Sequence, residues 1–332
     1  MNLTLDTFRN HFWNIATVIA VVITVLIVIS FIAQVRESSG ITFGKLPTTE
    51  IVGAPFTKDF TFEFGDISEP SRTKVALLNI EEGSVKKAKF LAKVLKINGK
   101  SRESKDTSGN TFVEIKDKNG LLTYYLNGEG WNYVGSFKVG GGKRIDKEQD
   151  AKEIAVSFLK RLNLDKELTH YRTTLFEAHG VEFDETSNEE ETDEFLLEFT
   201  GQFEEREIFD TEGNPPAAVQ ISKEGFVAKV LYNPLGISTE NVGTYPIINI
   251  AGVEKRLSQG QGTITSPAGL TSSELTKTRI ISFNKIDLVY VADKDINILV
   301  PFWILSGIVE VFGYNQEIVV VVNAIVDKYL KD

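Results

Sequence analysis

Hydrophobic positions recur along this chain in three patterns, and each predicts a different kind of element. The first is an unbroken run. From Trp13 to Val35, WNIATVIAVVITVLIVISFIAQV, 23 residues pass without a charge, and 14 of them are Ile, Val, Leu or Phe. A helix of that length reaches about 34 Å, enough to cross a hydrocarbon core of about 30 Å. At roughly −0.3 to −0.6 kcal/mol per strongly apolar residue, insertion is favoured by on the order of 4 to 8 kcal/mol. The run exceeds the core of a signal peptide and no A-x-A site follows it, so it predicts an uncleaved transmembrane signal anchor. Residues 1–12 then form a cytoplasmic tail. Residues 36–59, punctuated by Gly40, Gly44, Pro47, Gly53 and Pro55, form a tether.

The second pattern has period two. Phe60, Phe62 and Phe64 alternate in FTFEF, and Lys74–Glu81 is a second short strand. Thr111–Lys118 turns at Asn119-Gly120 into Leu121–Leu126, which turns at Asn127-Gly128 into Trp131–Val139. Asn-Gly marks hairpins because both residues tolerate positive φ. Trp131, Tyr133, Phe137 and Val139 fall on one face of the third strand. Gly140-Gly141-Gly142 then breaks the pattern. Beyond it, strands are expected at His170–Ala178, Glu194–Phe203, Ile208–Asp210, Ala217–Ser222 and Phe226–Tyr232. Arg279–Val291, Ile298–Leu305, Ile308–Phe312 and Ile318–Ile325 close the chain, the last apolar on both faces as a central strand would be.

The third pattern is helical. Val85, Ala88, Ala92 and Leu95 share one face of Ser84–Ile97, and the remaining faces are mostly lysine. A second helix starts at Asp146, with Gln149 three residues on as in a capping box, and buries Ala151, Ile154, Ala155, Phe158 and Leu162. A short third helix is expected near Ile250–Leu257. The first two share Ala-Lys-x-x-Ala, at Ala88–Ala92 and Ala151–Ala155, and each precedes antiparallel strands. The expected fold is therefore α+β: a transmembrane helix, then antiparallel sheets with helices packed on one face. It is divided into a first module at 60–142 and a second at 143–332.

Composition narrows the function classes. The first 35 residues carry one acid, Asp6, and one base, Arg9, so the net charge of −10 belongs to the remainder. Such a surface repels phosphate backbones, which argues against nucleic acid as a partner. The chain has no Cys, which removes disulfides, thiol catalysis and Cys-ligated zinc together. Only His11, His170 and His179 could offer imidazole, and His11 lies before the apolar run.

The C-terminal third carries a family pattern. Tyr245-Pro246-Ile247-Ile248 leads into a short helix that contains Leu257 and ends at Gly260. ISFNKIDLVYVADKDINILVPFWILSG follows, and the last strand ends Val322-Asn323-Ala324-Ile325. Over roughly residues 245–326 this resembles the closing segment of YycH/YycI-type extracytoplasmic regulators and related PepSY-like exported domains. The resemblance implies a plasma-membrane protein with a cytoplasmic N-terminus, whose exported bulk binds another membrane or envelope protein and alters its signalling.

Motifs of catalysis are incomplete. Asp293-x-Asp295-x-Asn297 begins like a calcium loop, but Ile298 and Ile304 occupy the positions that need glycine and glutamate. Gly140-Gly141-Gly142-Lys143 lacks the earlier Gly and the following Ser/Thr of a phosphate loop. Ser84-x-x-Lys87 and Ser282-x-x-Lys285 have no Lys-Thr-Gly companion. Glu182–Glu194 holds eight carboxylates in thirteen residues and is expected as a solvated hairpin loop. No catalytic, cofactor-binding or metal-ligating residues are assigned. Trp131, Tyr133, Phe302 and Trp303 are the candidate interface aromatics. The leading expectation is a non-catalytic interaction or regulatory module, touching the bilayer through residues 13–35. A cell-envelope hydrolase with scattered residues, or a peptide-binding inhibitor module, is the alternative.

Overall fold

Alternation governs most of this chain. In the computed structural model, which describes residues 43–57, 59–63, 70–138, 144–179, 182–266, 280–311 and 314–331, 53% of those residues are in strands and 14% in helix. The expected α+β class is corrected accordingly. The described residues form mostly one large mixed β-sheet system, to which three helices are accessory. The physical reason is arithmetic: helices that short and few cannot make a layer over eighteen strands.

The elements follow in order. Strands β1 (Ala54–Phe56), β2 (Asp59–Phe62) and β3 (Arg72–Leu78) precede helix α1 (Val85–Val94). A meander of β4 (Ser101–Lys105), β5 (Thr111–Asp117), β6 (Gly120–Tyr125) and β7 (Trp131–Lys138) comes next. Helix α2 (Glu148–Arg161) leads to β8 (Thr169–His179), β9 (Glu182–Thr186), β10 (Glu194–Phe203) and β11 (Arg206–Asp210). Then come β12 (Ala217–Ser222), β13 (Phe226–Tyr232), β14 (Ile237–Pro246) and helix α3 (Ile250–Ser258). Strands β15 (Gly262–Ser266), β16 (Ile280–Asp293), β17 (Ile298–Val311) and β18 (Tyr314–Asn323) complete the chain with a final short turn of helix, Asp327–Tyr329.

Two layers of pairing share β10. In the first, neighbours run β4-β5-β6-β7-β13-β12-β10-β8-β9, all antiparallel. Without β9 this order reads alike from both ends: helix α1 with four strands meets helix α2 with four strands at the β7–β13 seam. The two Ala pairs explain how the helices approach. Ala88, Ala92, Ala151 and Ala155 are all buried, and they share one core with Val113, Leu122, Phe195 and Val219. Small residues let a helix axis lie close to the strands, while Leu91 and Phe158 fill the space beside it.

The second layer is built on β17, which pairs with β16 along one side and with β18 and β3 along the other. Strand β14 extends it from β3, and β1 and β15 extend it from β18. Its mixed character comes from β16, which runs parallel to both β2 and β11. Strand β11 pairs in turn with the end of β10 and closes the link. The expected break within β17 does not occur. Gly307 keeps the strand continuous, because a Cβ there would sit 2.4 Å from the Ser282 carbonyl where β16 bulges.

Several sequence-based boundaries shift. The stretch expected as a tether enters the sheet, with Leu46 and Phe56 buried and Leu46 bridged to Leu330. Strand pairing joins the segments on either side of Gly142 through β7–β13 and β3–β14, and residues 44–332 cluster as one unit. Helix α2 begins at Glu148 without a side-chain cap from its own N-cap residue. The Glu189 carboxylate instead accepts the Glu148 backbone N–H at 3.1 Å. The acidic stretch is thus partly strand β9, and it is also pinned by Lys223 Nζ donating to the Glu190 carbonyl at 2.6 Å.

The expected single-pass, plasma-membrane placement with an exported bulk is also corrected. Among the described residues no helix is long and apolar enough to cross a membrane. The expected tail, the signal-anchor span Trp13–Val35 and the first part of the tether lie outside the described residues. Phe64, Val139 and the glycine run 140–142 lie outside them as well.

Candidate functional site

The four candidate aromatics are all buried: Trp131 and Tyr133 share one face of β7, and Phe302 and Trp303 take opposite faces of β17. Tyr133 is fully enclosed at the β7–β13 seam, opposite Val230, and its hydroxyl donates to the Asn119 carbonyl at 3.2 Å. Burial pushes its phenol up to about 12. Phe302 and Trp303 sit on β17 between two paired neighbours, and Trp303 Nε1–H donates to the Ile248 carbonyl at 3.1 Å. A partner reaches neither Tyr133 nor Trp303 directly, and Phe302, 2% exposed, only borders a cavity of about 460 Å³. Trp131 is 7% exposed, but it reaches the surface at the floor of a cleft.

That cleft has a volume of about 750 Å³ and draws its lining from both layers of strands. Its floor is aromatic: Tyr124 on β6, Trp131 on β7 and Tyr232 on β13 project to the helix side of the sheet. The Trp131 and Tyr232 rings lie 5.8 Å apart and tilted by 41°. Their contact depends on Gly130, whose φ is +115° and whose absent Cβ would fall 1.9 Å from the Tyr232 carbonyl. Burial raises the Tyr232 phenol above its ordinary value, and the nearby Glu167 carboxylate raises it further. The rim is polar, with exposed Asn79, Glu81, Lys87, Lys166, Glu167 and Gln202. Glu81 and Lys87 pair at 2.6 Å.

The opposite, helix-free face of the same sheet carries a second concavity of about 410 Å³. Phe176, Leu196, Ala218 and Leu231 come from four adjacent strands, with Pro215 and Phe183 at its margins. Alternation puts these side chains there because Leu175, Leu197, Val219 and Val230 take the inward positions. Phe183 is 48% exposed, Leu231 43% and neighbouring Val134 50%. Within the groove Glu198 is held by Arg172, whose guanidinium is raised first by that hydrogen bond. Gln220 donates to Glu194, whose carboxyl is raised by burial.

The remaining motif residues build turns or strand contacts. Asp293 Oδ1 accepts the backbone N–H groups of Asp295 and Ile296, and Asn297 takes φ +53°, so the calcium-like segment forms the β16–β17 hairpin turn. His170 Nε2 lies 2.9 Å from Thr173 Oγ1. Burial, then Lys152, holds the His170 imidazole below its ordinary value. His179 Nε2 lies 3.7 Å from Glu177 and 3.9 Å from Asp184. Among the described residues no three His, Asp or Glu side chains converge as a metal site.

Neither concavity was visible in the sequence, and of their aromatic residues only Trp131 was a candidate. The alternation of Phe176, Leu196 and Leu231 with buried neighbours is readable, but not that the face they share lacks a covering layer. Compared with known proteins, the chain matches no protein-family model and no curated protein.

Proposed function

We propose that this chain is a non-catalytic interaction module that holds an extended segment of another protein in the groove on its helix-free sheet face. The observation that carries the reading is the pair of large apolar side chains left in water there, Phe183 and Leu231. Covering an exposed Phe and Leu is worth roughly 1 to 3 kcal/mol each, which makes such a patch a docking surface rather than a neutral one. Charge selects the occupant. On the groove side stand Glu185, paired opposite Phe176, together with Glu194 and Glu198, against Arg172 and Lys229, and the whole chain carries −10. The segment that fits is apolar at alternate positions and flanked by Lys or Arg, so that its side chains meet the groove and its cations the small acidic excess of that face.

Selection from a displayed random-peptide library on the full-length chain tests this. Enriched sequences should alternate apolar residues beside a basic one, and their binding should weaken at least about tenfold in Leu231→Asp and in Phe183→Asp. Enrichment of acidic sequences, or binding unchanged by both substitutions, would overturn the reading. Both side chains are surface-exposed, so the variants keep the fold, which circular dichroism checks.

A further inference from the structure

The cleft on the other side of the sheet plays no part in that reading, and its chemistry differs. We infer that it is a binding site for a neutral saccharide, with sugar rings lying on the Tyr124, Trp131 and Tyr232 floor.

Shape and position come first. The volume of about 750 Å³ holds a ligand of roughly two to four sugar rings, and junctions between layers are where pockets preferentially form. The floor offers flat apolar faces, suited to the C–H face of a pyranose, with hydroxyls of Tyr124 and Tyr232 at the edges. The Trp131 and Tyr232 rings already contact each other, centroids 5.8 Å apart, so a sugar ring lies across them instead of inserting between the two.

Charge then discriminates between ligand classes. The lining has two carboxylates, Glu81 and Glu167, and two ammonium groups, Lys87 and Lys166. They cancel, and Glu81 and Lys87 already satisfy each other at 2.6 Å. A phosphate or nucleotide site needs a cationic excess, which is absent from this lining. What the rim supplies instead is groups that both donate and accept: the amides of Asn79 and Gln202, the Thr169 hydroxyl and the Tyr124 phenol, the Tyr232 hydroxyl being bonded to Glu167. Vicinal sugar hydroxyls, which likewise donate and accept, are their natural complement.

The test uses the full-length chain in a buffer free of glycosides, because these would compete. Hexamers of β-1,4-glucose, α-1,4-glucose and N-acetylglucosamine are titrated while tryptophan fluorescence is followed. At least one should give a saturable change, absent in Trp131→Phe, with Tyr232→Ala and the rim variant Gln202→Ala each weakening binding at least about fivefold. Saturation-transfer NMR on the Trp131→Phe protein should still detect the bound sugar. The rim variant guards against a Tyr232→Ala protein that fails to fold. No saturable response to any hexamer would overturn the inference. So would tighter binding of a zwitterionic dipeptide, or affinity unchanged in Gln202→Ala and Tyr232→Ala. Because the groove variants Leu231→Asp and Phe183→Asp lie on the opposite face, they should leave saccharide binding intact.

Discussion

Phe158 meets Phe137 edge to ring, centroids 5.5 Å apart at 70°, and the contact joins helix α2 to the strand that ends the other helical repeat. The pair crosses the seam between the two units that share the Ala-Lys-x-x-Ala pattern, so the two cores are one.

Phe158→Ala should therefore destabilise the chain by about 3–5 kcal/mol, the transfer loss plus an unfilled cavity. Val156, on the outer side of the same helix and 40% exposed, is the control: Val156→Ala should cost less than about 1 kcal/mol. Denaturant unfolding followed by circular dichroism separates the two. Equal losses would mean that the α2 stripe faces water.

Arg256 is a buried charge of the second layer. Its guanidinium donates to the carbonyls of Asn323 and Ile325 and pairs with Asp327, tying helix α3 to the end of β18. Arg256→Met keeps the apolar stem but leaves two carbonyls without their donor, and should lower stability by about 3–5 kcal/mol. Asp327 is 79% exposed at its side chain, so Asp327→Asn should cost less than about 1 kcal/mol. Thermal unfolding of both variants checks the asymmetry.

Tyr133 predicts an alkaline limit. Its phenol is ordinarily at about 10 and is pushed up to about 12 by burial, so the folded state favours the protonated form. The sign follows: its contribution to stability is complete below about pH 10 and is lost as pH rises through about 12. Stability measured between those values should decline less in Tyr133→Phe than in the parent. An ultraviolet titration of tyrosinate should lose one late-ionising group. An unchanged slope would show that Tyr133 titrates like a solvent-exposed phenol.

How far the residues announce their structure varies by element. Strands β10, β12 and β13 fall on their expected bounds, because strict alternation between Phe195 and Phe199, or Ala217 and Ile221, encodes a face directly. Helices α1 and α3 were readable too, and Ser84 and Asn249 accept from their first turns as N-caps. Strand β4, SRESK, has no apolar residue, and β9 is mostly acidic. Both are outer strands of the first layer that pair with a single neighbour, where no second face needs to be buried, so nothing in their composition announces a strand.

Period, turns and the inward residues of each strand could be read from the residues alone, because these depend on neighbours two to four positions away. What lies far apart in the chain was settled only by folding. Packing set β2 and β11 parallel to β16, sent the expected tether into the sheet, and drew the acidic stretch onto the start of α2. It also turned Trp131 into the floor of a cleft while enclosing Tyr133 two residues on. Both side chains occupy the same face by alternation. Which of them meets solvent depends on how far the covering segments extend, and that is fixed by packing between distant parts of the chain.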